Sequence, residues 1–351
     1  MPGPASPRPS LARFLTASTT TLALSCGTLI LAPVSAHATE IDLGDLTVVA
    51  TTDIHAHAAD YDYFTGQSYG AKDPTKALGM DHLSTAIKQV QTEYGLESVL
   101  TLDNGDANQG SSLASYYQGH RSPTTTDPMA SVFNLLNYDA GVVGNHEFNY
   151  GLGALDQYQS NLDMPLLGAN VIDDATGEPA LTPYIMTEKT VNGHPVKVGV
   201  VGVVTPGIAT WDKANVEGKL HFEDAAQSAN TYARQAKADG ADVVVVLAHT
   251  GLDPEGVPYD ADAKGENVAR SVAEQSTDID VVVGDHSHVT DKVQEYFINQ
   301  NGEKVLFSQP GYWARFASEI TIPLQVDKTE REGFCGVVCR RTAHRAGTER
   351  R

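Results

Sequence analysis

The chain has 351 residues, a formal net charge of -20, a pI near 4.8 and a hydrophobic share of 41%, which is room for one large domain or two ordinary ones with a real core. So acidic a surface repels nucleic-acid backbones and argues against duplex binding, but it does not exclude small anionic substrates at a site where metal ions reverse the local field. Beyond Cys26 only Cys335 and Cys339 occur, so the main domain must draw its stability from its core rather than from disulfides.

The N-terminus reads as a secretory signal over residues 1–38. Arg8 and Arg13 are basic, residues 15–32 are mostly apolar, and Ala36-His37-Ala38 offers a small-x-small cleavage site. Ser and Thr break the apolar stretch, which makes it a poor permanent membrane span. Cys26 raises a lipoprotein alternative, but Ala23-Leu24-Ser25 before it fits a lipid-attachment site poorly. The mature protein is expected to begin near Thr39 and to act outside the cytoplasm, in the medium, cell wall or periplasm.

Strands are predicted at 46–51, 98–102, 140–143, 166–169, 196–204, 243–248, 281–283, 305–308 and 320–326, all Val-rich or nearly continuous in apolar character, as strands covered on both faces are. Helices are predicted at 83–94, 129–136, 152–159, 224–238 and 266–274; Gly240 stops the fourth. The alternation argues an α/β fold with at least one mainly parallel sheet. The catalytic domain is read as 39–327. Residues 328–351 carry seven Lys or Arg against three acids and no clear apolar periodicity, and read as a disordered, loosely packed or truncated tail. Cys335 and Cys339 supply half a metal site at most; a local disulfide or no pairing is the expectation.

Potential metal ligands follow five of the strands. TTDIHAH gives Asp53 and His55, two apart and so on one side of an extended chain. LDNGDANQG gives Asp106, GNHE gives Asn145 and His146, LAHTG gives His249, and VGDHSH gives His286 and His288. Each motif alone is weak, since a lone His after a strand is an ordinary surface residue. Their joint occurrence in order is harder to explain blandly. Carboxylate, imidazole and amide oxygen without thiolate suit Zn, Mn, Co or Fe. The donors suffice for two ions, and a two-metal clamp supports in-line phosphoryl displacement by a hydroxide generated near neutral pH.

The order D-x-H, GD, GNHE, H, G-x-H-x-H resembles the calcineurin-like metallophosphoesterases. GNHEFNYG (144–151), DNGDANQGS (103–111), TPGIATWDKANVEGK (205–219), GADVVVVLAHTGL (240–252) and PGYW (310–313) resemble their secreted nucleotidase branch, over roughly residues 45–326. The first of these is closer to the 2′,3′-cyclic-nucleotide 2′-phosphodiesterase/3′-nucleotidase members than to 5′-nucleotidases. The resemblance implies a four-layer αββα sandwich. It implies one divalent ion on Asp53, His55 and His288, a second on Asn145, His249 and His286, and Asp106 bridging them. His146 would face the scissile phosphate and help protonate the leaving oxygen. Asn149 stands where 5′-nucleotidases usually carry Asp, so it would orient His146 without raising its basicity as a carboxylate would.

The function implied is hydrolysis of 2′,3′-cyclic nucleotides and 3′-nucleotides. A 5′-nucleotidase or UDP-sugar hydrolase is the alternative within enzymes. A catalytically weak interaction protein is the alternative of another class, because the nucleoside-binding domain that family members carry C-terminally has no counterpart in the tail. Asp285 replaces a usual Gly and is expected to be solvated, with support of the neighbouring ligands as the alternative. His57 is expected to be a supporting or exposed residue, and Glu147 a structural hydrogen-bonding one. Tyr116, Tyr117, Trp211 and Trp313 are either part of a base pocket or ordinary packing.

Overall fold

The computed structural model describes residues 41–254, 256–290, 294–327 and 336–339; the signal segment and most of the basic tail, with Cys335, lie outside them. In chain order the strands are β1 (Ile41–Thr51), β2 (Val99–Asp103), β3 (Ala140–Val142), β4 (Leu166–Leu167), β5 (Val171–Asp173), β6 (Tyr184–Val191), β7 (His194–Val204), β8 (Leu220–Phe222), β9 (Val243–His249), β10 (Val281–Gly284), β11 (Gln294–Ile298), β12 (Lys304–Ser308), β13 (Ser318–Asp327) and β14 (Gly336–Cys339). The helices are α1 (Met80–Tyr94), α2 (Ser112–His120), α3 (Pro128–Leu135), α4 (Leu152–Asn161), α5 (Ile208–Trp211), α6 (Lys213–Val216), α7 (Ala225–Ala238) and α8 (Ala269–Glu274).

Two six-stranded sheets dominate, in the orders β14-β13-β1-β2-β3-β4 and β11-β12-β10-β9-β7-β6. In each, four strands run parallel: β1 to β4 in the first, and β7, β9, β10 and β12 in the second. The antiparallel strands β13, β14, β6 and β11 extend the sheets beyond these parallel cores. A small pair, β5 and β8, completes the set.

Three apolar clusters define the layers. Leu83, Ile87, Phe133, Leu155 and Tyr158 lie where α1, α3 and α4 cover the first sheet. Leu46, Val48, Leu100, Val198, Val200 and Val245 fill the space between the sheets. Val201, Val203, Val244, Ala229, Ala233 and Val272 join the second sheet to α7 and α8. The result is an αββα sandwich. It explains the unbroken burial of VVVVLAH in β9, because a strand with a sheet on one face and helices on the other shows no alternation. Lys189 of β6 pairs with Asp139 just before β3, Nζ to Oδ1 at 2.7 Å, and links the sheets through an ion pair with little solvent access.

Local chemistry sets the helix ends. Asp224 caps α7 by accepting from the Gln227 N–H, and the alanines at 225, 226, 229, 233 and 236 form its buried stripe. Asp127 caps α3 with Pro128 in the first turn. The last helix starts at Ala269 rather than 266, because Thr250 accepts from Val268 N and donates to Glu266 O, taking those groups out of a helical ladder. Strands β6 and β11 and helix α2 escape sequence reading. The two strands lie on sheet edges and mix polar with apolar residues, and α2 buries only Ala114.

The sheets approach closely at Gly202 on β7. A Cβ there would lie 2.4 Å from Leu167 Cβ and 2.8 Å from Val142 Cγ2 on the facing sheet. Gly202→Ala is therefore expected to lower unfolding stability in urea by about 1–3 kcal/mol through overpacking. Wild-type stability of that variant would mean the sheets separate without cost.

Candidate metal centre

The parallel strands β1, β2, β3, β9 and β10 release their chains at one end of the sandwich, where ligands gather in α/β sheets. Asp53, His55, Ala56, Asp106 and His288 all adopt positive φ in the loops that follow. Non-glycine residues rarely hold that conformation, and its concentration here marks loops bent to aim side chains rather than to relax. Gly144 allows the closest approach: a Cβ there would sit 2.1 Å from Asp106 Oδ1.

Asn104 and Glu147 lock these loops together. Asn104, fully buried, donates its side-chain amide to Thr52 Oγ1 and to the carbonyls of Ala248 and Asp285, at 3.2, 3.5 and 3.4 Å, so one residue spans both sheets. The Glu147 carboxylate, also buried, accepts from the backbone N–H groups of Gly144, Asp106, Ala107 and Asn108 at 2.6 to 3.2 Å. Burial and the neighbouring Asp106 push its pKa up against those four donors.

All seven expected ligands converge. Asp53, His55 and His288 each present a ligand atom within 4.8 Å of the others, as do Asp106, His249 and His286. Asn145 Oδ1 lies 3.3 Å from His249 Nε2. The tautomers follow from the outer partners. His55 Nδ1 faces the Gln109 carbonyl at 2.8 Å and His249 Nδ1 faces the Asn104 carbonyl at 2.6 Å, so each Nδ1 carries hydrogen. In the neutral rings both Nε2 lone pairs then point inward. His55 Nε2 meets His288 Nε2 at 2.9 Å, and His249 Nε2 meets Asp106 Oδ2 at 3.1 Å. Asp53 Oδ1 is buried without a hydrogen-bond donor. Acceptors facing acceptors, with an orphaned carboxylate oxygen among them, fit divalent cations.

Without cations, protons take the same role. Burial opposes charging of His249, yet Asp106 and Asp53 hold its pKa up at about 10. Burial also opposes ionisation of Asp53, yet His249, His288 and His55 hold it well below the ordinary carboxylate range. A metal that binds here must displace these protons, so its affinity rises with pH.

His146 stands at the rim. Its backbone N–H donates to Asp106 Oδ1 at 2.8 Å, its ring lies edge-on to His55 with centroids 5.1 Å apart, and its Nε2 is 4.0 Å from Asp106 Oδ2. It also groups with His55 and Asp106 at ligand distance. Asn149 Oδ1 contacts His146 Nδ1 at 2.6 Å. Two aromatic rings flank the ligands: Trp211 stacks on His286 at 5.7 Å and Tyr312 on His288 at 4.9 Å.

Some expectations change. Asp285 is not solvated. It has no exposed surface, its Oδ1 accepts from the His286 N–H at 2.8 Å, and burial, with Asp53 nearby, raises its pKa to about 7. The cause is its place at the end of β10, where the Asn104 amide draws its carbonyl inward. Glu147 has the structural role expected. His57 is buried, its Nδ1 facing the Ile54 carbonyl and its ring stacked on Trp313. Tyr116 stacks on His120 along α2, and Tyr117 reaches the Thr125 carbonyl, so of the four aromatics only Trp211 stacks on an expected ligand. Asp212 and Tyr312 lie within the stretches 205–219 and 310–313 that carry the resemblance, but neither was singled out from sequence as a site residue.

Glu147→Gln would leave one acceptor oxygen for four N–H groups and turn an NH2 toward them. That loss should outweigh relief from Asp106, and unfolding stability in urea should fall by about 1–3 kcal/mol. An unchanged midpoint would mean the carboxylate does not hold the loops.

A model of the calcineurin-like phosphoesterase family matches residues 46–290. The trifunctional nucleotide phosphoesterase protein YfkN of Bacillus subtilis is 36% identical over 297 residues, which is 80% of this chain and 19% of that protein. The 2′,3′-cyclic-nucleotide 2′-phosphodiesterase/3′-nucleotidase of Haemophilus influenzae is 36% identical over 299 residues, 81% of this chain and 43% of that protein. This chain thus spans less than half the length of either relative. The crystal structure of the calcineurin-like phosphoesterase YfkN from Bacillus subtilis superposes with a TM-score of 0.69 at 33% identity, covering 85% of this chain and 91% of that one. Matched in sequence over most of its length and in fold, the chain belongs to the calcineurin-like phosphoesterase family.

Proposed function

We propose that this protein hydrolyses phosphoesters of nucleotides, with 2′,3′-cyclic nucleotides and 3′-nucleotides as its substrates. The observation that carries the reading is the convergence of inward lone pairs from both sheets beside a histidine held by its Nδ1. Asp53, His55 and His288 would hold one divalent ion, and Asn145, His249 and His286 a second, with Asp106 between them. Two bound cations would neutralise phosphoryl charge and supply a nucleophile from water near neutral pH.

The residues of the chain do the rest. Gln109 and Asn104 carbonyls fix the tautomers of His55 and His249. Glu147 holds the loops of Asp106 and Asn145 at fixed separation. Trp211 and Tyr312 restrict rotation of His286 and His288. His146, with Nδ1 engaged by Asn149, presents Nε2 to a bound phosphoester and delivers its proton to the leaving ribose oxygen. The nucleotide specificity draws support from the names of the Bacillus and Haemophilus relatives. We propose export as well, on the basic, apolar and small-residue pattern of 1–38. Among the described residues no helix is long and apolar enough to cross a membrane.

Phosphate release from 2′,3′-cAMP, 3′-AMP, 5′-AMP and bis-p-nitrophenyl phosphate, with Mn, Zn, Co or no metal, tests the reading. Turnover of the cyclic and 3′ substrates should require added metal and exceed that of 5′-AMP. Preference for 5′-AMP, or no turnover with any metal, would overturn it. His146→Ala should lose about 10²–10⁴-fold in kcat at nearly unchanged metal content. Metal lost in parallel with activity would make His146 a ligand instead.

A further inference from the structure

We infer that Asp212 is a positioning residue that sets the tautomer of His146 through the side-chain amide of Asn149. Asp212 follows α5 and is buried. Both its carboxylate oxygens accept from Asn149 Nδ2, each at 3.0 Å. A carboxylate only accepts, so it obliges the amide to turn its NH2 away from His146. The amide oxygen is thereby aimed at His146 Nδ1, 2.6 Å away. An acceptor at that distance requires hydrogen on Nδ1, which leaves Nε2 as the atom that gains and loses a proton.

The arrangement is braced from a second side. Asn215 Nδ2 donates to the carbonyls of Phe148 and Asn149 at 2.9 and 3.3 Å and to Asp212 Oδ1 at 3.3 Å. The turn that carries His146 and the segment that carries Asp212 are thus held in one register. An amide alone has no preferred orientation, because its two ends are nearly isosteric. Without Asp212 it is free to flip, give an N–H to a bare Nδ1 and move the hydrogen of the neutral ring to Nε2. The apparent weakness of Asn149, that it lacks the charge of a carboxylate, is met by placing the carboxylate one residue further out.

The effect on turnover rests on the proposed role of His146 as proton donor; the tautomer does not. The two are separated by reading the ring directly. Two-bond ¹H–¹⁵N spectra of the full chain loaded with zinc, at a pH about two units above the ordinary histidine value of ~6.5, report which nitrogen carries hydrogen. His146 is assigned by the signal missing from His146→Gln. The wild type should show hydrogen on Nδ1, D212N a mixture of tautomers, and N149D a face-to-face carboxylate pair that perturbs the ring. In the swapped pair N149D/D212N the carboxylate lies next to the ring and the amide behind it, so the Nδ1–H form should return.

In steady-state kinetics on bis-p-nitrophenyl phosphate, D212N should lose about 10- to 100-fold in kcat with KM and metal content little changed, and the swapped pair should recover most of that loss. Hydrogen on Nε2 in the wild type would overturn the inference without any variant. So would a D212N protein with a single Nδ1–H form, or a swapped pair as impaired as D212N. If D212N unfolds, the swapped pair, which keeps every hydrogen-bonding position filled, still decides through its tautomer and kcat. A wild type inactive on every ester but showing the expected tautomer shift in D212N would reject the proposed function and leave the inference standing.

Discussion

Two carboxylates, Asp53 and Asp106, are buried where the two sheets meet, and four imidazoles and an amide oxygen bring ligand atoms to them. An uncompensated buried charge costs several kcal/mol even after the protein relaxes. This pocket therefore demands positive charge, and much else in the structure serves to keep it assembled while that demand stands. Asn104 bridges the sheets and fixes His249. Glu147 collects four backbone N–H groups, three from the loop of Asp106 and one from the loop of Gly144. Five non-glycine residues accept left-handed backbone conformations so that their side chains, or their neighbours', aim inward. Protons satisfy the pocket in part, as the elevated pKa of His249 shows, but a proton cannot bridge as many oxygen and nitrogen lone pairs as a divalent ion.

The same constraint reconciles an acidic protein with an anionic substrate. At -20 the chain as a whole repels phosphate and attracts cations. Cations drawn into the pocket would invert the field over a few ångströms, within the screening length of physiological salt. Attraction of a nucleotide would then be local to the strand ends, with selectivity left to whatever surrounds them. Trp211, half-exposed and stacked on His286, borders that space.

The ligand loops were legible because parallel strands covered on both faces read as plain Val-rich runs. Polar residues crowded at the ends of such runs, as in TTDIHAH and VGDHSH, then stand out. The four layers followed from the family resemblance rather than from periodicity, which only argued α/β. What stayed hidden was of two kinds. Strands β6 and β11 and helix α2 bury too little to print a pattern. Asp212, Asn104 and the inward turn of Asp285 depend on partners tens to hundreds of residues away. Asp285 was misread because a carboxylate after a strand is ordinarily solvated, whereas here its carbonyl meets the amide of Asn104, 181 residues distant. Glu147 was read correctly as structural, yet the four N–H groups it gathers belong to two separate loops that no local motif joins.

Anomalous diffraction from crystals grown with manganese tests the central claim, that the pocket is built for two cations, most directly. Two peaks about 3.5–4 Å apart are expected, one against Asp53, His55 and His288 and the other against Asn145, His249 and His286, with Asp106 in reach of both. A single peak at saturating metal, or none at these residues, would contradict the claim.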